Sequence, residues 1–109
     1  MKLKFRIWLE NEEDELVIGQ GLFTLLNLIK STGSINKSAK ALNMSYRTAW
    51  GKIKKAEIRY GCELVKKKSG GKSGGGTTLT KGGEQLLTNF DNLNQEAEKY
   101  METLFNQYL

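Results

Sequence analysis

The stretch KKKSGGKSGGGTT, from Lys66 to Thr78, is the part of the chain best suited to contacting an anion, because it combines four lysines with five glycines. Three interpretations fit this composition. The first is a glycine loop that cradles a phosphate, the second is a flexible linker between two domains, and the third is the tip of a β-hairpin that meets a polyanion. The surrounding sequence distinguishes between them.

A phosphate-binding loop requires the pattern G-x-x-x-x-G-K-[ST] followed directly by a helix. The triplet GKS is present at 71–73, but Lys66 stands where the first glycine belongs, and the glycines at 74–76 oppose a helix. A flexible linker would leave residues 81–109, a single helical segment, with nothing to pack on. The strand-like segments CELVKKK (62–68) and TTLT (77–80) instead favour a hairpin tip, and the linker remains the open alternative.

Charge is concentrated in the middle of the chain. The overall net charge is +5, yet residues 21–75 alone carry a net +10, whereas residues 1–20 carry −2 and residues 76–109 carry −3. A basic centre between acidic ends is typical of a protein that presents a binding face to a polyanion. The alternative is a solvated basic surface without a partner.

Few residues are suited to catalysis or metal binding. The chain has no histidine and one cysteine, Cys62, which excludes a histidine-based triad and an internal disulfide, and which disfavours a zinc site. We therefore expect no catalytic site, no metal and no cofactor. Cys62 itself is interpreted as a small apolar residue in a reducing compartment.

The amino terminus alternates apolar and polar residues. KLKFRIWL (2–9) has the period of a half-buried strand, and LVI (16–18) is suited to a return strand, which together predict a hairpin within 2–18. This pattern fits neither a signal peptide nor a membrane span, so we expect a cytoplasmic protein without membrane contact.

The next segments have helical periodicity. Leucines and isoleucine at positions 22, 25, 26 and 29 share one face of a first helix, and Ser34 and Ser45 are suited to cap a second and a third helix. In the third helix, Ala49 and Trp50 are assigned to the buried stripe. Two short helices joined by about three residues after a supporting helix predict a helix-turn-helix.

The last segment predicts a long helix with a heptad seam, a pattern typical of coiled coils. A second apolar face lies beside this seam, so the helix needs two partners. One partner is the body of the domain, and the other is most simply a second copy of the chain. The alternative is that the heptad seam packs on the core of its own domain. The residues assigned to a homodimer, without deciding which face forms it, are Leu86, Phe90, Leu93, Ala97, Tyr100, Met101, Leu104 and Phe105.

These elements predict a mainly α protein with a small β component (α+β), arranged as a winged helix-turn-helix with a long carboxyl-terminal dimerisation helix. The chain 1–109 is interpreted as one domain. Its parts are a hairpin within 2–18, three core helices at 20–32, 34–42 and 45–60, a wing at 62–80, and the dimerisation helix at 81–108.

Two strings in the sequence are characteristic of a known family. TGSINKSAKALNMSYRTAW (32–50) and GGKSGGGTTLTKGGEQLL (70–87) resemble the amino-terminal DNA-binding domain of the molybdate-responsive ModE-type transcription regulators, which are relatives of the LysR-type winged helix domain. The resemblance extends over residues 20–109. The order and spacing of the two strings make a chance match implausible.

The resemblance implies a regulator that binds double-stranded operator DNA, at an inverted repeat, as a homodimer. Its recognition-helix positions correspond to Ser45, Tyr46, Arg47 and Thr48, and its wing corresponds to 66–76. Full-length regulators of this type continue into a molybdate-binding region, whereas this sequence stops at Leu109. We therefore expect a stand-alone form that lacks a molybdate domain and binds no small-molecule effector itself.

Arg47 is the residue most suited to reading sequence, because its planar guanidinium matches the O6 and N7 atoms of guanine; a phosphate contact is the alternative. Tyr46 is suited to a thymine methyl group, a phosphate or core packing. The full candidate set for DNA contact is Ser34, Lys37, Ser45, Tyr46, Arg47, Thr48, Lys52, Lys55 and Lys72. A protein-interaction module built on the same fold is the competing hypothesis.

Overall fold

The structure, a computed structural model, describes residues 1–71 and 74–109. The fold class predicted from the sequence is confirmed, since four helices are accompanied by two small antiparallel hairpins. In chain order the elements are β1 (Leu9–Glu10), β2 (Leu16–Ile18), α1 (Gln20–Thr32), α2 (Ile35–Ala41), α3 (Tyr46–Tyr60), β3 (Val65–Gly71), β4 (Gly74–Leu79) and α4 (Lys81–Tyr108).

The helix-turn-helix is delimited by local capping. Gly33 ends α1 in the left-handed conformation, with φ of 71°, and donates its N–H to the carbonyl of Ile29. The hydroxyl of Ser34 then accepts a hydrogen bond from the N–H of Lys37, and the hydroxyl of Ser45 caps α3 in the same way. Short-range chemistry therefore explains where these helices start and stop.

One hydrophobic core joins the three helices to the base of the wing and to the start of α4. Leu25 and Ile29 of α1, Ile53 of α3 and Leu64 before β3 are fully buried. Phe90 of α4 is 1% exposed, and its ring centroid lies 5.5 Å from that of Phe23. The core thus fixes α3 and the wing on the same body.

The predicted strand over residues 2–9 is wrong for most of its length. Residues 1–8 belong to no strand, and the hairpin consists of β1 and β2 alone, with Leu9 opposite Ile18. β2 is too short to pair with a longer strand, because α1 begins two residues after it. Leu3 and Phe5 instead line a shallow cavity beside the far half of α4.

Only the first part of α4 contributes to the hydrophobic core, and residues 2–5 lie beside its far half. Its buried residues end at Phe90, while the helix continues to Tyr108, and the molecule measures 58 × 29 × 24 Å. Leu86 and Phe90 are 5% and 1% exposed within the chain's own core, so their assignment to the dimer seam is corrected. Their side chains have no surface left for a second copy.

The length of α4 does not make it a membrane segment. Within residues 1–71 and 74–109, no helix combines the length and the hydropathy needed to cross a membrane.

Candidate nucleic-acid interface

The first turn of α3 presents the predicted recognition residues together on the surface. Ser45 Oγ accepts the N–H of Thr48 at 3.0 Å and donates to Thr48 Oγ1 at 2.9 Å, so these two hydroxyls hold each other. Arg47 is exposed, and Tyr46 is 46% exposed. The capping that starts the helix therefore also orients the residues proposed to meet DNA.

Tyr46 lies at a junction between the helix-turn-helix and the wing. A depression of about 320 Å³ is bounded on one side by the start of α2 and by Tyr46, and on the other side by the arms of the wing. Its lining residues are Ser34, Ile35, Asn36, Tyr46, Lys67, Lys68, Gly76 and Thr77. Hydroxyls, an amide and two lysines thus converge on this depression, a combination suited to binding phosphate.

The wing is fixed to the helix-turn-helix at this depression. The N–H of Thr77 donates to the carbonyl of Gly33 at 2.8 Å, and Lys67 is paired across the hairpin with Thr77. A Cβ on Gly76 would lie 2.7 Å from the carbonyl oxygen of Gly33, closer than such atoms approach. The absence of a side chain at Gly76 therefore permits the close approach that sets the position of the wing.

A buried carboxylate fixes the wing at its other end. Glu57 of α3 is 9% exposed, and its Oε2 accepts the N–H groups of Leu64 at 2.8 Å and Val65 at 3.3 Å. Its Oε1 accepts from Lys54 Nζ at 2.9 Å. These bonds join the recognition helix directly to the first residues of the wing.

The ionisation of Glu57 reflects these contacts. Burial raises the pKa of this carboxyl, but the hydrogen bonds from Lys54, Leu64 and Val65, together with the positive charge of Lys54, outweigh the desolvation. The net result is a pKa below its ordinary value, so Glu57 is ionised at neutral pH.

Not all predicted contact residues lie beside this depression. Lys52 and Lys55 are exposed on the other flank of α3, where with Arg59 they border a cavity against β2 and the start of α1. Lys37 is exposed on α2. Lys72 lies outside the described residues. The basic residues are therefore spread along both sides of the recognition helix.

The assignment of Trp50 to the core is wrong. Ala49 is fully buried as expected, but Trp50 is 46% exposed and lies under Lys54, whose Nζ is 5.6 Å from the centre of the indole ring. The buried stripe of α3 runs through Ala49, Ile53 and Ala56. Each residue of a helix is rotated by about 100° from the one before it, so Trp50 is rotated by that angle from Ala49. That rotation places Trp50 at the edge of the stripe.

Sequence reasoning missed two residues that the fold brings to this surface. Asn36 lines the depression, and Glu57 joins helix and wing. A carboxylate on the apolar stripe of α3 was the one signal for Glu57. For Asn36 there was none, because its role depends on a contact between distant segments. Lys67, Lys68 and Thr77, which also line the depression, belong to the stretch 66–78 that the sequence singled out for anion contact.

The residues that the structure describes contain no group of three or more His, Cys, Asp or Glu side chains placed to hold a metal ion.

A helix-turn-helix followed by a hairpin that is hydrogen-bonded to it at Gly33 and at Glu57 defines a winged helix-turn-helix protein. The family model of the bacterial regulatory helix-turn-helix proteins, lysR family, matches residues 22–84, and the chain belongs to this family.

The resemblance to ModE-type regulators is confirmed by similar proteins. Transcriptional regulator ModE of Yersinia pestis is 40% identical over 80 residues, which is 73% of this chain and 30% of that protein. Molybdenum transport protein ModE of Herbaspirillum seropedicae is 36% identical over 93 residues (83% and 35%), and DNA-binding transcriptional dual regulator ModE of Escherichia coli K12 is 37% identical over 81 residues (74% and 31%). The chain spans about a third of the length of these relatives.

Proposed function

We propose that this chain is a transcription regulator that binds double-stranded DNA sequence-specifically, with the start of α3 in the major groove and the wing against the neighbouring backbone. The observation that carries the proposal is the depression in which Ser34, Tyr46 and the wing residues Lys67 and Lys68 meet. These four residues belong to the segment 21–75, whose net charge is +10. Charge and fold therefore favour the same ligand.

The contacts divide into two kinds. Lys37, Lys52 and Lys55 are exposed lysines suited to phosphates, which position a protein on the duplex without reading its sequence. Arg47 is exposed on the first turn of α3, where a recognition helix presents residues to base edges. We assign sequence reading to Arg47, with Ser45, Tyr46 and Thr48 as its neighbours.

Arg47 provides the direct test. The Arg47→Ala variant should lose about 1–3 kcal/mol in the preference for its operator over random DNA, because a bidentate contact to guanine is removed. The measurement is a salt titration of binding to the DNA upstream of the gene for this chain, compared with a random duplex. Lys37→Ala removes the same charge and should weaken binding to both duplexes about equally.

The two possible failures have different meanings. An unchanged preference in Arg47→Ala, with binding otherwise intact, would show that base reading belongs to another residue. If the unaltered chain binds neither duplex even at low salt, the DNA-binding function is wrong, and a protein-interaction module becomes the better hypothesis.

We further propose that the chain acts as a homodimer through the part of α4 that projects from the body. Leu93 is 43% exposed and Tyr100 is 66% exposed, which is unusual for apolar residues in a heptad seam unless a partner covers them. After the correction above, the proposed seam consists of Leu93, Ala97, Tyr100 and Leu104, while Met101 and Phe105, on the second apolar face, line the cavity with Leu3 and Phe5. Two copies related by a two-fold axis would place recognition helices about 34 Å apart, matching an inverted repeat.

The dimer is tested by adding charge to the seam. We expect the chain to sediment as a dimer at tens of micromolar, and the double variant Leu93→Glu/Tyr100→Glu to sediment as a monomer, because two buried carboxylates would face their copies. The variant Asn92→Glu/Asn106→Glu adds the same charge at exposed positions on the polar side of α4 and should remain dimeric. A monomeric unaltered chain would contradict the proposal.

A further inference from the structure

Trp50 is an exposed aromatic residue on the recognition helix to which the family resemblance assigns no role. It is 46% exposed, as is Tyr46 one helical turn earlier, and the two share a face because they are four residues apart. Their half-exposed rings form an apolar strip on the most basic part of the molecule. An apolar strip in such a place needs an explanation other than core packing.

The strip lies on a side of α3 whose two ends approach the wing. At one end Tyr46 shares a depression with Lys67 and Lys68, and at the other end Glu57 binds the N–H groups that begin β3. Residues 46, 50, 54 and 57 of α3 lie three or four positions apart and so follow one side of the helix. Trp50 is therefore between the two points where the recognition helix meets the wing.

Cations surround this position. Lys54 Nζ lies 5.6 Å from the centre of the Trp50 ring and is held there by its ion pair with Glu57. Arg47 is exposed on the neighbouring turn, and Lys67 and Lys68 line the depression at Tyr46, one helical turn before Trp50. A ligand that fits must combine negative charge with a small apolar surface, which the sugar-phosphate backbone of DNA does by alternating the C–H groups of deoxyribose with phosphate groups.

We propose that Trp50 is a DNA-contact residue that packs its exposed indole on a deoxyribose of the strand running between the major groove and the wing. The indole Nε1–H is a donor suited to the adjacent phosphate. The inference rests on the proposed function, since it presumes that α3 and the wing lie on the same duplex. Because every nucleotide has this sugar, the contact adds affinity without adding sequence preference.

The first test compares two tryptophans. Trp50→Leu should weaken binding to an operator duplex and to a random duplex alike, by about tenfold, because the apolar area of a large ring is no longer buried. The slope of log affinity against log salt should not change, since no cation is removed. Trp8 is 57% exposed in the amino-terminal segment, and Trp8→Leu should leave both affinities unchanged.

The second test is optical and does not depend on the stability of Trp50→Leu. In the variant Trp8→Phe, Trp50 is the sole tryptophan, and its quenching by acrylamide should fall several-fold when the protein is saturated with a random duplex. Unchanged quenching, or unchanged affinity of Trp50→Leu, would overturn the inference while leaving DNA binding intact. Weakened binding to the operator alone would also overturn it, because Trp50 would then read a base. Failure of the unaltered chain to bind any duplex would overturn both proposals.

Discussion

Gly83→Ala should lower the free energy of unfolding by about 3 kcal/mol or more, the largest effect expected of a single methyl group in this chain. Gly83 lies buried in the first turn of α4, and a Cβ there would overlap the carbonyl oxygen of Leu64 and lie 3.0 Å from its carbonyl carbon. Both atoms are backbone, so the clash is relieved only by moving α4 away from the base of the wing. Urea denaturation followed by circular dichroism measures the loss.

The neighbouring glycine supplies a matched control. A Cβ on Gly82 would meet the sulfur of Cys62, which is the end of a side chain that can rotate away. Both substitutions gain the same helix propensity, about 1 kcal/mol. In Gly82→Ala this gain should roughly offset the cost of rotating Cys62 away, so the stability should change little. An equal loss of stability in the two variants would contradict the proposed clash with Leu64.

Glu57→Ala should lower the free energy of unfolding by about 2 to 4 kcal/mol, because the buried N–H groups of Leu64 and Val65 lose their acceptor. Glu63→Ala removes the same charge from an exposed side chain nearby and should change stability little. Thermal or urea denaturation of the two variants at pH 7 distinguishes loss of the hydrogen bonds from loss of charge. Similar stability of both would contradict the role of Glu57 in holding the wing.

The effect of pH on the stability difference between the unaltered chain and Glu57→Ala has a defined sign. The pKa of Glu57 in the folded chain lies below its ordinary value of 4.5, so the carboxylate contributes stability above that pH. The contribution is lost as the pH falls through the folded pKa. The difference in stability between the unaltered chain and Glu57→Ala should hence be constant from pH 6 to 8 and should narrow below pH 4.5.

Local chemistry made the helices predictable. Ser34 and Ser45 bond the N–H groups of the first turns that follow them, and Gly33 adopts the left-handed conformation for which glycine is suited. Each of these features depends on residues within four positions along the chain. The wing was predictable in the same way, from two strand-like segments around a glycine-rich tip.

Features that depend on distant contacts were not predictable. The heptad seam of α4 has the same pattern whether it packs on its own domain or on a second copy of the chain. In the structure, Leu86 and Phe90 are buried in the core of their own domain. The alternation over residues 2–9 indicated a strand but did not supply a partner for it. The requirement for glycine at Gly76 follows from a carbonyl 43 positions earlier, that of Gly33.

The shape of α4 has a mechanical consequence. The helix is rooted in the body through Lys81 to Phe90, and the 18 residues from 91 to 108 extend about 27 Å beyond this root. A tilt of about 10° at the root would swing the tip by about 5 Å over that length. In the proposed dimer, joined through this far half of α4, a small change in the angle at the root would therefore alter the distance between the two copies of α3.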